Sequence, residues 1–208
     1  MLCVRAFNLN WQPYYLKKDT SATFYKIGSI FLSLLIVLST LLSILWPILF
    51  WFLIGEDFWS GGTIIPVIAI SYIFYGLFVL QMPSLYLKNK EQWAPRFWGM
   101  GFIINVCCNC VLIPLYGYYG AAFATLFAYA GMALFITYKN YHWMLMKYSL
   151  LYVGCILVIS VVGLWFGLML SFGIGPEFLV WGMPVLIGVA IIYLLITMPI
   201  MWLMYKKI

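Results

Sequence analysis

What this chain lacks is charge where it is most apolar. Only 8% of its 208 residues are Asp, Glu, Lys or Arg, against 66% hydrophobic, and no charged residue and no histidine falls inside a long apolar run. Ionisable groups at membrane depth mark proton relays, ion coupling and charged-substrate pathways, so the runs hold no such site of their own. Acid–base pairs, nucleophile–base pairs and metal clusters are excluded from them for the same reason. The single histidine, His142, lies between Lys139 and Lys147 and reads as a solvated loop residue. We therefore expect no catalytic residue, no metal, no cofactor and no enzyme activity.

Patterned cysteine is also missing. Cys107, Cys108 and Cys110 lie in mid-run sequence with no His or carboxylate beside them, and Cys3 and Cys155 add no spacing. Buried cysteine commonly behaves as a small hydrophobe, which is the reading adopted here. The first apolar run begins only after a polar, basic segment, so nothing resembles a signal peptide with a short apolar core and cleavage site.

What is present is apolar surface beyond what a soluble domain could hide: the mean hydropathy is +1.06. The composition implies an all-α, integral membrane bundle. A hydrocarbon core of about 30 Å takes roughly 20 helical residues, and six runs qualify, near 27–53, 64–86, 97–113, 118–138, 148–170 and 179–204. They form one membrane bundle over 27–204, preceded by a cytoplasmic or interfacial segment 1–26 and followed by a tail 205–208.

Charge between the runs is one-sided. All eleven basic residues fall in the first segment (Arg5, Lys17, Lys18, Lys26), the third (Lys88, Lys90, Arg96), the fifth (Lys139, Lys147) and the tail (Lys206, Lys207). The alternate segments hold Glu56, Asp57 and Glu177 with no Lys or Arg. By the positive-inside rule both termini are cytoplasmic. The net charge of +6 thus serves topology and not nucleic acid. Aromatics such as Trp51, Trp98, Tyr116, Trp143 and Tyr205 fall near run ends and read as the interfacial belt.

Segment 1–26 has about ten apolar residues before Trp11-Gln12-Pro13-Tyr14-Tyr15, too few to cross a bilayer. It is either an interfacial amphipathic anchor or the end of a helix whose predecessors are missing.

The stretch from Ile103 to Thr125 is least like generic apolar helix. Two runs meet in a turn of about four residues, because Pro114 cannot continue the hydrogen-bond ladder and Gly117 tolerates the backbone angles of a reversal. After it, Gly120, Ala121, Ala122 and Ala124 strip the helix of bulk and let another helix approach. Asn105 and Asn109 share one helix face. They either hydrogen-bond neighbouring helices or line a polar cavity. Gln81, beside Pro83, divides in the same way. Ser71, Thr125 and Thr137 are expected to bond their own helix backbones. Lys88, Lys90 and Arg96, with Glu91 among them, form the densest basic loop, which either holds orientation or meets phosphate or anionic lipid headgroups.

Asn105-x-x-x-Asn109-x-x-Leu112-Ile113-Pro114-x-x-Gly117-x-x-Gly120-Ala121-Ala122-x-Ala124-Thr125 resembles the late helix pair of the O-antigen-type (Wzx-like) flippases of the multidrug/oligosaccharidyl-lipid/polysaccharide superfamily. Ala6-Phe7 through Lys17 is similar to the end of the family helix before its final six. Gly55 through Pro66 looks like the next loop, and Lys88-Asn89-Lys90 like the basic turn after it. The resemblance covers most of the chain but only the C-terminal part of the family pattern of twelve or fourteen spans, and the family's intramembrane charges have no counterpart in these six runs.

The resemblance implies alternating-access export of an undecaprenyl-pyrophosphate-linked oligosaccharide across the bacterial inner membrane, with Asn105, Asn109 and Gln81 facing the cavity. Its implied partners are the lipid-linked substrate, membrane lipids, and a missing N-terminal bundle or a second copy. A truncated or split gene product is the simplest account of Met1. The rival readings are a cation-coupled multidrug exporter of the same superfamily, which would call for acidic residues in the spans, a membrane-bound transferase of envelope synthesis, and a non-transporting subunit that completes a partner's bundle.

Overall fold

A computed structural model describes residues 2–17, 21–87, 89–143, 158 and 182–207. In chain order the elements are α1 (Leu2–Lys17), α2 (Ser21–Leu53), a 3-10 segment (Glu56–Ile64), α3 (Ile65–Gln81), α4 (Pro83–Leu87), a single 3-10 turn (Glu91–Trp93), α5 (Ala94–Tyr116), α6 (Tyr118–Trp143) and α7 (Gly182–Lys207). Five stretches are long and apolar enough to cross a membrane: Ile27–Leu53, Asp57–Tyr86, Glu91–Tyr116, Tyr118–Asn140 and Gly182–Leu203. They match five of the six expected runs. The remaining one, 148–170, lies outside the described residues except for residue 158.

The spans pack side by side in the order α7, α2, α3, α6, α5. Ile44 meets Leu186 and Ala190 while Ile36 and Val37 meet Tyr193, so α7 runs antiparallel to α2. Asp57 lies in the connection from α2 to α3, whereas Arg96, Lys139 and Lys206 lie where α5 begins and where α6 and α7 end. The bundle therefore has an acidic end and a basic end.

Two prolines act differently. Pro83 has no amide hydrogen for the carbonyl of Val79, and Met82 donates to it instead at 3.2 Å; the span breaks there into α3 and α4. Pro114, expected to end the third span, lies inside α5. The helix runs on for two residues and stops at Gly117, whose φ of +57° suits glycine. Its amide caps the carbonyl of Ile113 at 2.8 Å. The expected four-residue turn is thus a single residue, and α5 is 23 residues long where about 17 were expected.

Segment 1–26 differs from an anchor laid on the surface. Val4 and Trp11 are buried in the same core cluster as Phe31, Phe78 and Leu80, and α1 packs on α3 and α4. The Trp11 indole Nε1 donates to the carbonyl of Leu80 at 3.2 Å, beside the Pro83 break.

Candidate functional site

Helix α6 touches both α3 and α5 and so forms the floor of a groove that they flank. Toward the basic end the walls meet: the Trp98 ring of α5 lies 6.3 Å from Tyr75 and 5.3 Å from Phe78 of α3. Trp98, assigned to the interfacial belt by position alone, is in fact a groove residue. Asn105 and Asn109 stand seven and eleven positions after it, on the same stripe of α5 at 3.6 residues per turn.

Three tyrosines gather next to Trp98. Tyr129 of α6 lies 5.9 Å from Tyr72 and 5.0 Å from Tyr75, ring to ring. Their hydroxyls are within electrostatic reach of one another, and the charge of Arg5 reaches that of Tyr75. Among the described residues, none of these three hydroxyls has a hydrogen-bond partner. Tyr129 precedes Lys139 by ten residues, about 15 Å of helix, which is half of a hydrocarbon core of about 30 Å. Arg5 precedes Trp11 by six residues, so its backbone lies about 9 Å deeper than the Trp11–Leu80 bond. It is exposed.

Among the described residues the two asparagines bond each other and no neighbouring helix. Asn109 Nδ2 donates to Asn105 Oδ1 at 2.9 Å, within α5, and Asn109 Oδ1 is buried with no partner among the described residues. The pair thus satisfies part of its own polarity and leaves one acceptor over.

Gln81 stands apart from the groove. It is buried, its Nε2 donates to Thr137 Oγ1 at 2.9 Å, and its Oε1 accepts from Asn140 Nδ2 at 3.2 Å. The Ser84 hydroxyl lies 2.8 Å from Asn140 Oδ1 and 2.7 Å from the carbonyl of Gln81, its one proton serving either. This network fastens α3 and α4 to α6 across the Pro83 break. Thr137, Thr125 and Ser71 each also bond their own helix backbone, as expected.

The basic loop is organised by Trp93, which the sequence placed only in the interfacial belt. Arg96 and Lys139 lie 4.6 and 4.4 Å from the centroid of the Trp93 ring. Lys90 is in the preceding turn, and Lys88 is outside the described residues. Elsewhere, an open pocket of about 670 Å³ on α7, around Leu195, Met198 and Trp202, is lined by apolar side chains, with the Trp202 indole N–H as its single polar group. Among the described residues no group of His, Cys, Asp or Glu could hold a metal ion.

Among the described residues the groove offers phenol, indole and amide groups, which suit binding of a polyhydroxylated solute. Arg5, Tyr72, Tyr75 and Tyr129 escaped the sequence reading. The signal for two of them was there, since Tyr72 and Tyr75 put phenols at i and i+3 in the middle of a run, far from either interface. Compared with protein-family models, curated proteins and solved structures, the chain matches none.

Proposed function

We propose that this chain forms part of an exporter that moves a lipid-linked oligosaccharide across the bacterial inner membrane by alternating access, its basic end and C-terminus cytoplasmic, with the glycan and diphosphate passing along the groove. The observation that carries this reading is the cluster of Tyr72, Tyr75 and Tyr129 beside Trp98, its hydroxyls without hydrogen-bond partners among the described residues and the charge of Arg5 within reach of Tyr75. Aromatic faces and neutral hydrogen-bonding groups suit sugars, and a guanidinium suits a phosphate. The absence of any acid in the apolar runs weighs against the cation-coupled drug exporter. The resemblance of the Asn105-to-Thr125 stretch to the O-antigen-type flippases supports the same reading.

Among the described residues one side of the groove is uncovered, where a second bundle or a second copy could enclose a substrate. The same opening supports a second reading, a non-transporting subunit that completes a partner's bundle.

The test is binding of a radiolabelled undecaprenyl-pyrophosphate-linked oligosaccharide to the purified full chain in detergent. Saturable binding that falls at least tenfold in Arg5→Gln and Tyr75→Phe is expected. Equal binding of undecaprenol, which has neither diphosphate nor sugar, would overturn the proposal. Undiminished binding by both variants would overturn it too.

A further inference from the structure

Three successive carbonyls at the Pro83 break are satisfied in three different ways. Val79 loses its usual partner because Pro83 has no amide hydrogen, and accepts from the Met82 amide at 3.2 Å. Leu80 accepts from the Trp11 indole at 3.2 Å. Gln81 accepts from the Ser84 hydroxyl at 2.7 Å, while the Leu85 amide turns to Met82 at 3.1 Å. Within a bilayer, carbonyls freed by a proline are met by neighbouring helices or by hydroxyl side chains. Here one of the donors comes from α1, 69 residues away in the chain.

Beyond the break, α4 and the turn that follows it form one arm. Asn89 has a φ of +51°, its amide donates to the carbonyl of Tyr86 at 3.3 Å, and the Lys90 amide donates to Leu85 at 2.7 Å. These are the two bonds of a helix C-cap closed by a left-handed residue. Lys90 therefore turns with α4.

Helix α1 lies across the joint, packed on both α3 and α4. Val4, Asn8 and Trp11, at i, i+4 and i+7, share one of its faces. Val4 and Trp11 are enclosed in the core, but Asn8 Oδ1 is buried with no partner among the described residues. A buried acceptor without a donor favours release of the segment that holds it. The docked position of α1 thus combines one bond that holds it with one unmet acceptor that opposes it.

We infer that α1 is a releasable latch on a hinge at Pro83. With the Trp11 indole on the Leu80 carbonyl, the arm from Pro83 to Lys90 is fixed to α3; with α1 released, the arm opens as a unit, as locally cooperative segments do. The device couples the position of α1 to order at the basic end, and it acts whatever the groove binds.

Amide hydrogen exchange of the full chain in detergent, read over the Leu85, Asn89 and Lys90 amides, tests this. Trp11→Phe should speed their exchange several-fold and leave α5 unchanged; no change in the arm overturns the latch. Trp46→Phe is the control, because Trp46 is also buried but its Nε1 has no partner among the described residues, so it loses the same ring volume and no bond. Equal speeding in Trp46→Phe would reveal a general loosening of the core and overturn the proposal. Pro83→Ala restores an amide for Val79, and Trp11→Phe should lose most of its effect in that background. An undiminished effect there overturns the hinge. If Trp11→Phe fails to fold, Asn8→Leu decides the matter: removing the unmet acceptor should slow exchange of the arm several-fold, and unchanged or faster exchange overturns the latch.

Discussion

Gly120 lies so close to Leu112 that a β-carbon on it would overlap the Leu112 carbonyl. The obstacle is backbone, which cannot rotate away, so the one-residue turn at Gly117 and the close approach of α5 to α6 depend on this glycine. Gly101 against Met132 and Gly131 against Ile104 repeat the pattern with side chains that can yield. We expect Gly120→Ala to destabilise the chain by about 1–3 kcal/mol or more, as overpacking does. Gly99→Ala and Gly188→Ala, where nothing stands within 4 Å, should be neutral or gain up to about 1 kcal/mol of helix propensity. Thermal unfolding in detergent of the three variants compares them directly.

The Gln81, Ser84, Thr137 and Asn140 network predicts coupling across the Pro83 break. Asn140→Leu leaves the Gln81 amide oxygen buried without its donor, which costs about 1–3 kcal/mol. A double-mutant cycle of Gln81→Leu and Asn140→Leu should return a coupling energy of about 0.5–2 kcal/mol, the range of polar pairs in membrane bundles. A value indistinguishable from zero would mean the network does not fasten α3 to α6.

Trp11→Phe keeps the ring in the core and removes only the hydrogen bond to Leu80, at about 1 kcal/mol. Trp11→Ala should cost about 3–5 kcal/mol, since Trp11 is buried among Phe31 and Leu80. Chemical denaturation that finds both variants as stable as the wild type would detach α1 from the bundle.

Asn109→Leu separates a ligand role from a packing role. Asn109 Oδ1 has no partner among the described residues, and its one bond, to Asn105 Oδ1, ends on a half-buried acceptor, so loss of the amide should cost no more than about 1–2 kcal/mol. Binding of the lipid-linked oligosaccharide should fall several-fold. Clear destabilisation with unchanged binding would return Asn109 to a structural role.

Much of this architecture was legible in residue order. Apolar runs separated by charge of one sign marked five spans whose helices exist, and the Gly120-to-Ala124 stripe announced a close helix approach. The end of α5 was misread because proline removes one hydrogen bond without forcing a helix to stop; the positive φ at Gly117 stops it. The site was legible only in part. Asn105 and Asn109 stood out as amides in apolar sequence, but Arg5 seemed to lie outside every span because α1 is too short to cross a membrane. Only packing against α3 carries it to the depth of Tyr75, and no local pattern encodes that depth. Gln81 and Asn109 look alike in sequence, yet one is enclosed between helices and the other borders the groove.

The single-residue turn at Gly117 has a consequence for how the chain enters a bilayer. Between Arg96 and Lys139 there is no charged residue, and the reversal exposes no polar loop to be carried across. Helices α5 and α6 can therefore insert together as a preformed hairpin, with only the Gly117 tip crossing the bilayer and both charged ends remaining together on one side.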